Sequence, residues 1–253
     1  MSLLMKTSMR ILHTLRTTTL RASTMEYCSN WAVQSIIYAG RETFIIETAK
    51  QSDVSRIADF LTSVFTFTEP HCRALGMTPD EAKPFITAMA EKCIPHGLSC
   101  LVTEDRSKEL AAVRLFGVAG REDDSEEAIE LSPKMRIISN LLELTKEGFW
   151  EMVDGNVRRV VTREITSVKQ QHMRKGIATF LLSYLLDEHN IRRLDVQGII
   201  SEASSIENQR LLRKAGYEVY KEVKHVNYVD RNGHRIFNCD DGTDRIILFF
   251  KKF

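Results

Sequence analysis

The spacing of apolar and polar residues changes its period several times along the chain, and each change predicts a different element. Short apolar or β-branched runs bounded by polar turns are typical of strands, whereas apolar residues three and four apart are typical of helices. The predicted strands are 43–50, 97–105, 109–119, 157–168, 193–201 and two around 218–229 and 244–252. The predicted helices are one capped by Asp53 and others over 79–94, 133–153, 176–189 and 204–218.

This order of elements predicts a mixed α/β fold around one central sheet with long antiparallel stretches. The chain has 253 residues, which suits a single domain with a sizeable core. We place that domain at 43–253 and treat 1–42 as an N-terminal extension.

The first 25 residues differ from the rest, being basic, rich in Ser and Thr, and free of acidic residues before Glu26. Such a composition fits a mitochondrial transit segment, but we favour a disordered tail, or an upstream extension before a start at Met25. The expected location is therefore the cytoplasm, or mitochondria if this segment directs import.

Composition excludes several classes of function. Charged residues make up 27% of the chain, yet the formal net charge is only +1, so we expect neither a nucleic-acid nor a membrane partner. No apolar run approaches the ~18 residues of a membrane span. The cysteines show no metal-ligand spacing, which predicts free thiols in a reducing compartment and no metal; they are Cys28, Cys72, Cys93, Cys100 and Cys239.

The segment 160–189 has the arrangement of an anion-binding loop, with a buried strand, a basic loop and an apolar helix. Gly176 lets the backbone approach a ligand closely, and Arg174 and Lys175 add positive charge beside a phosphate. The loop matches neither the phosphate loop of nucleoside triphosphatases nor the G-x-G-x-x-G of dinucleotide folds.

The stretch "TSVKQQHMRKGIAT" (166–179) resembles the acyl-CoA signature of the GCN5-related N-acetyltransferase (GNAT) superfamily. Gly176 and Ala178 match that signature, whereas Met173 stands where Gln or Arg is usual. The resemblance implies a mostly antiparallel twisted sheet with a splayed strand pair and flanking helices, and acetyl-CoA as co-substrate. The implied cofactor-binding residues are Thr166, Ser167, Val168, Met173, Arg174, Lys175, Gly176, Ile177, Ala178, Thr179 and Ser205, with the amides of Ser167 and Val168 stabilising the oxyanion.

The stretch "SSIENQRLLRKAGY" (204–217) resembles a second cofactor element of the same superfamily, which ends in a Gly-aromatic pair. Ser205 stands where Asn is common. Leu212 stands where many members keep a Tyr that protonates the departing thiolate, so the general acid stays open.

Residues 53–82 resemble the arylalkylamine N-acetyltransferase-like branch of insects and nematodes, through Phe60, Leu61, Phe65, Glu69, Pro70, Ala74, Leu75 and Gly76. In that branch the Glu of the Glu-Pro pair is the general base, which implies this role for Glu69. We expect apolar neighbours, Phe65 and Phe67, to raise the pKa of Glu69 towards neutrality and fit it for removing a proton from an ammonium ion.

The expected function is therefore N-acetylation of a small primary amine, an arylalkylamine or similar, by direct attack on acetyl-CoA in a monomeric enzyme. A protein or peptide N-acetyltransferase is one alternative, suggested by the acidic segment 121–130. A catalytically weak acyl-CoA-binding module is another, suggested by Leu212 and Met173. Two histidines of polar loops, His71 and His172, are expected to be exposed, and Cys72 is not expected to act as a nucleophile.

Overall fold

The computed structural model describes residues 21–23, 34–123 and 129–253. Within them a nine-stranded sheet has the order β1-β2-β3-β4-β5-β6-β7-β9-β8. Its strands are β1 (Arg21–Ser23), β2 (Gln34–Ala39), β3 (Glu42–Thr48), β4 (Cys100–Glu104), β5 (Leu110–Gly120), β6 (Arg159–Val168), β7 (Gly198–Ala203), β8 (Glu218–Lys224) and β9 (Arg245–Lys252). The helices are α1 (Val54–Thr68), α2 (Pro70–Ala74), α3 (Pro79–Cys93), α4 (Pro133–Lys146), α5 (Phe149–Met152), α6 (Ile177–Leu181), α7 (Glu188–Leu194) and α8 (Ile206–Lys214).

The sheet confirms the predicted mixed, mostly antiparallel architecture. Neighbouring strands pair antiparallel everywhere in the described part of the chain except between β6 and β7. Strand β2 lies within the segment assigned to the N-terminal extension and pairs with β3 along its whole length. The expectation of a tail or transit segment concerns residues that lie mostly outside those described.

Strands β6 and β7 form the splayed pair that the GNAT resemblance implies. They pair in parallel at only two positions, where Val161 lies opposite Ile199 and Thr162 opposite Ile200. Strand β6 runs on to Val168, and β7 runs on to Ala203, without further pairing between them. The sheet is therefore open at the carboxyl ends of these two strands.

Helices cover both faces of the sheet, because alternate strand residues supply apolar side chains to each face. On one face α1, α3 and α4 pack against residues such as Leu101 and Val113. On the other face α6 packs against residues such as Phe44 and Val102, and α8 packs around Phe249. No helix in the described residues combines the length and apolar character that a membrane crossing requires.

Two helices predicted as continuous are interrupted in the structure. The helix predicted over 133–153 ends at Lys146, because Gly148 adopts the left-handed conformation with φ 78° before α5 begins. The helix predicted over 176–189 ends at Leu181, and a turn with Leu185 at φ 59° leads to α7. As α7 extends to Leu194, the following strand β7 begins at Gly198, five residues later than predicted.

The buried side chain of Arg114 explains the early end of α6. Its guanidinium donates hydrogen bonds to the carbonyl oxygens of Leu181 (2.6 Å) and Tyr184 (2.7 Å). In an uninterrupted helix those carbonyls would accept from the amides four residues further on. Arg114 takes their place, so the helix stops after five residues.

Candidate active site

A cavity of about 860 Å³ lies where β6 and β7 diverge. The ends of both strands, the loop before α6, the start of α8, the junction of α1 and α2, and parts of α3 and α4 form its walls. It is lined by the predicted site residues Glu69, Thr166, Ser167, Val168, Met173, Arg174, Gly176, Ile177, Ala178, Thr179 and Ser205. Of the predicted set, only Lys175 is not part of the lining, so the fold brings together residues from three separate parts of the chain.

Lys175 turns away from the cavity. Its ammonium forms an ion pair with Glu42 and lies 3.4 Å from Nδ1 of His172. The expectation that His172 is exposed is wrong: it is 4% exposed and packs its edge against Phe44, with ring centroids 5.2 Å apart. Glu42 thus binds the cation that the sequence assigns to a phosphate, while Arg174 stays exposed at the cavity rim.

The backbone of the loop before α6 is suited to an anion. Arg174 (φ 58°) and Gly176 (φ 81°) both adopt the left-handed conformation. In the described part of the chain, the amides of Arg174, Lys175 and Gly176 donate no hydrogen bond to another backbone group. Because α6 has only five residues, any anion held here would meet these local amides rather than the dipole of a long helix.

The end of β6 also offers unpaired polar groups to the cavity. The hydroxyls of Thr166 and Ser167 are buried without a hydrogen-bond partner in the described part of the chain. The amide of Lys169 donates to Ala111 on the β5 side. Since backbone groups alternate in direction along an antiparallel strand, the amide of Ser167 also faces β5 and that of Val168 faces the gap. Of the two amides implied by the resemblance, that of Val168 is the one free to meet a ligand.

Glu69 lies at the junction between α1 and α2, where Pro70 opens the new helix. It caps α2, because its Oε2 accepts a hydrogen bond from the amide of Cys72 at 2.6 Å. Its Oε1 lies 3.1 Å from Nδ1 of His71. Glu69 is 7% exposed, so two hydrogen bonds hold a buried carboxylate at the cavity wall.

The expected rise in the pKa of Glu69 is wrong. Burial does raise the pKa of this carboxyl group, but the hydrogen bond and charge of His71, the amide of Cys72 and the hydroxyl of Ser204 outweigh it, and lower the pKa to about 2. Of the two expected apolar neighbours, Phe65 lines the cavity and Phe67 is 58% exposed. Glu69 is therefore ionised at neutral pH.

His71 is 1% exposed, contrary to the expectation of an exposed loop residue, and belongs to a chain of contacts that the sequence analysis missed. Its Nε2 lies 2.9 Å from Nε2 of His225, in the turn after β8. Nδ1 of His225 lies 4.0 Å from Sγ of Cys239. Burial and the charges of His71 and Arg235 lower the pKa of His225 to about 4. Nothing in the sequence signals this contact, because 154 positions separate the two histidines.

Cys72, beside Glu69, is not a reactive thiol. It is 2% exposed, and burial together with the carboxylate of Glu69 raises its pKa far above the usual value. A thiol that stays protonated is a poor nucleophile. The structure thus agrees with a mechanism in which Cys72 forms no acyl-enzyme.

Two further carboxylates line the cavity at the splay. Glu164 is the extra residue of a β-bulge in β6, because Ile165 and Arg163 pair with consecutive residues of β5. Glu202 on β7 forms an ion pair of 3.2 Å with Lys146 of α4. Burial raises the pKa of Glu202; Lys146 opposes this rise and the carboxylate of Glu164 adds to it. Glu164 itself has no ion-pair partner among the described residues.

The remaining wall of the cavity is apolar. Side chains of α1, α3 and α4 form it: Phe65, Phe85, Met89, Met135, Ile138 and Leu142. Leu212, which stands where many GNAT members keep a Tyr, is fully buried in the core and lies outside the cavity lining. The cavity therefore has a polar end at the loop before α6, an apolar wall formed by α1, α3 and α4, and carboxylates that include those of Glu69, Glu164 and Glu202.

Comparisons with known proteins show which solved structures have a similar fold. No family model and no curated relative matches the chain. Solved structures do: the polyamine N-acetyltransferase of Drosophila melanogaster, which forms N-acetylagmatine, is 14% identical with a TM-score of 0.66 over 83% of this chain and 100% of that one. A putative arylalkylamine N-acetyltransferase 7 of the yellow fever mosquito Aedes aegypti is 16% identical with a TM-score of 0.69 over 83% and 87%. Arylalkylamine N-acetyltransferase 2 of Aedes aegypti is 20% identical with a TM-score of 0.64 over 83% and 98%.

These likenesses show that the chain has the GNAT fold. They confirm the fold that the resemblance of residues 166–179 implies, and arylalkylamine and polyamine N-acetyltransferases are among the proteins that share it.

Proposed function

We propose that the chain is an acetyl-CoA-dependent N-acetyltransferase that acetylates a small primary amine. One observation carries the proposal: the carboxylate of Glu69 and the loop residues Arg174 and Gly176, whose amides donate no hydrogen bond within the described residues, border the same cavity in the gap between β6 and β7. A bisubstrate reaction needs such a meeting point for two ligands. The GNAT fold and the arylalkylamine and polyamine N-acetyltransferases among its solved examples support this assignment.

Acetyl-CoA would bind with its pyrophosphate on the loop from Met173 to Thr179. The amides of Arg174 and Gly176 supply uncharged donors, and the side chain of Arg174 supplies positive charge. Val168 at the end of β6 would donate its amide to the thioester carbonyl and stabilise the oxyanion as the amine adds. Ser205, which caps α8 by accepting from the amide of Asn208 at 3.3 Å, closes the opposite side of the cavity.

Glu69 would hold the amine and take its proton. A carboxylate with a pKa of about 2 binds an ammonium ion well but is a weak base towards it. Because an ammonium nitrogen has no lone pair, the bound substrate first loses one proton to water, and the neutral amine then attacks the carbonyl carbon. We assign to Glu69 the second proton transfer, from the positively charged nitrogen of the adduct, whose N–H is far more acidic. The C–S bond then breaks, the amide is released, and the thiolate of coenzyme A takes up a proton.

The substrate is a primary amine whose body is apolar. The apolar wall formed by α1, α3 and α4 would contact an aryl or alkyl chain, with the amino group at Glu69. Arylalkylamines, the substrates implied by the resemblance of residues 53–82, fit this description.

A second candidate substrate, a diamine or guanidinoalkylamine, is favoured by Glu164. This carboxylate faces the cavity without a cationic partner in the described residues, whereas Glu202 already has Lys146. A cation at the far end of the substrate would pair with Glu164. Glu164→Gln is then expected to lower kcat/KM for putrescine and agmatine about tenfold and leave that for tyramine unchanged.

The test of the proposed function follows coenzyme A thiol release with acetyl-CoA and tyramine, tryptamine, putrescine or agmatine. Glu69→Gln is expected to lower turnover by ~10²–10⁴ while coenzyme A still binds. Glu91→Gln, an exposed carboxylate on α3, serves as the control and is expected to behave as wild type. Coenzyme A binding without turnover on any amine would instead identify an acyl-CoA-binding module.

The peptide alternative receives no support from the acidic segment 121–130. Its described residues, 121–123 and 129–130, are exposed and take no part in the cavity lining, and 124–128 lie outside the described residues. Acetylation of a basic peptide in preference to every small amine would establish that alternative.

A further inference from the structure

Three metal-ligating side chains from distant parts of the chain meet behind Glu69. His71 lies on α2, His225 in the turn after β8, and Cys239 in the loop between β8 and β9. One potential ligand atom from each lies within 4.8 Å of the other two. Both histidines are almost fully buried, and Cys239 is partly exposed.

Glu69 orients His71 as a metal ligand. In neutral His71 the hydrogen on Nδ1 is donated to Oε1 of Glu69 at 3.1 Å, so Nε2 presents its lone pair to His225. A carboxylate that fixes the tautomer of a ligating histidine from behind is the usual outer-shell arrangement of zinc sites.

The distances fit a metal after a small adjustment. The two Nε2 atoms are 2.9 Å apart, and one of them carries a hydrogen in the metal-free protein. Two nitrogens at ~2.0–2.1 Å from one tetrahedral ion stand roughly 3.3 Å apart. A shift of a few tenths of an ångström, with transfer of that hydrogen to the other nitrogen of its ring, converts the contact into a pair of ligands.

The donor set selects the class of ion. One thiol and two imidazoles favour zinc-like ions over Mg²⁺ and Ca²⁺, which prefer oxygen ligands. Burial raises the pKa of Cys239, and the carboxylates of Asp241 and Glu69 nearby add to the rise, whereas the cations Arg235 and Arg73 oppose it. Two carboxylates therefore lie near the site, and they favour a cation there. Three protein ligands leave one position of a tetrahedral ion open.

We propose that His71, His225 and Cys239 form a binding site for Zn²⁺, and that its occupation inhibits the site at Glu69. On binding, Cys239 loses its proton to solvent and the hydrogen on Nε2 of His225 moves to Nδ1 of the same ring, so both imidazoles stay neutral and the ion gains one sulfur and two nitrogen ligands. The inhibition rests on the proposed function; the binding does not. A dication beside His71 opposes the approach of an ammonium ion to Glu69, so amine KM rises most.

The binding test uses the full-length protein after dialysis against a chelator. Zn²⁺ is titrated in competition with a chromophoric chelator, and Co²⁺ is used separately as a spectroscopic probe of thiolate ligation. Wild type is expected to bind one Zn²⁺ per chain and to show a sulfur-to-cobalt charge-transfer band. Cys239→Ser is expected to bind Zn²⁺ at least about tenfold more weakly and to lose the band.

Two further variants keep the test decisive. Cys72→Ser removes a neighbouring buried thiol that is not among the three ligands, and is expected to bind Zn²⁺ as wild type does. His225→Asn removes a nitrogen ligand, and circular dichroism checks that it folds. A wild type that binds no Zn²⁺ at micromolar concentrations, or a Cys239→Ser variant that binds as tightly as wild type, overturns the site. Zn²⁺ binding without amine-dependent inhibition in an active enzyme overturns only its effect on catalysis.

Discussion

Replacing Arg114 by Met tests whether one buried guanidinium determines where α6 ends. Arg114 is fully buried, and its side chain donates to the carbonyl oxygens of Leu181, Tyr184 and Leu98. It also stacks over the ring of Phe116, 4.2 Å from its centroid. Methionine fills much of the same volume but donates nothing, so three carbonyls lose their partner.

The expected loss follows from those three acceptors. Each buried polar group left unpaired lowers the free energy of unfolding by ~1–3 kcal/mol, and the lower figure applies where the chain can rearrange. For three carbonyls at the lower figure, the free energy of unfolding falls by about 3 kcal/mol. The substitution also removes a buried charge that has no ion-pair partner in the described residues, which raises the free energy of unfolding and offsets part of this loss. Since domains of this kind unfold with ~5–15 kcal/mol, the variant still folds but with a much smaller margin.

The assay is urea unfolding at neutral pH, followed by far-ultraviolet circular dichroism. Arg163→Met is the matched control, because Arg163 is also buried and, like Arg114, leaves its Nε unpaired, but its side chain makes one hydrogen bond, to Ser201 at 3.3 Å. We expect its free energy of unfolding to change by less than ~1 kcal/mol. An Arg114→Met protein within ~1 kcal/mol of wild type, or an equal loss in both variants, would refute the role given to Arg114.

Three further predictions concern charge and packing. Hydrogen bonds from the turn between β4 and β5 lower the pKa of Glu104 to about 2; its contribution to stability is therefore complete above the ordinary pKa of 4.5 and is lost as pH falls towards 2. The difference in Tm between wild type and Glu104→Gln is expected to be largest near neutral pH and to vanish near pH 2; a constant gap would contradict this. Gly198→Ala would place a Cβ 2.7 Å from the carbonyl oxygen of Lys251, so we expect lower stability by roughly 1–3 kcal/mol in urea, and no change would show that β7 can move away. Glu42→Gln frees Lys175 and is expected to tighten coenzyme A binding, more at low salt than at high salt; weaker binding would mean that the ion pair positions the loop.

Local patterns predicted most elements because each lies within one stretch of sequence. The apolar spacing after Asp53 predicts α1, and the turn at 106–108 predicts the β4–β5 hairpin, both of which the structure contains. The same patterns failed where a distant side chain intervenes. The leucines after Gly176 continue a helical spacing, but Arg114, from a strand some seventy residues earlier, binds the carbonyls that the helix needs.

In the candidate site, too, local motifs could be predicted from the sequence, whereas contacts between distant residues could not. Its loop and Glu69 could be predicted from short motifs, and the fold brings them to one cavity. The electrostatic environment of Glu69 could not, because it depends on where His71 points and on a second histidine far along the chain. Flanking phenylalanines suggested a raised pKa, whereas the contacts made after folding lower it.

The short pairing between β6 and β7 divides the sheet into two sections of unequal size, β1–β6 and β7–β9–β8, joined by two residue pairs. A ligand bound in the gap contacts both sections, so its binding free energy stabilises the folded arrangement in which the two sections are held together. Amide hydrogen exchange would report this: protection of β7 and its neighbours is expected to rise with coenzyme A concentration, while the far edge at β2 and β3 changes little.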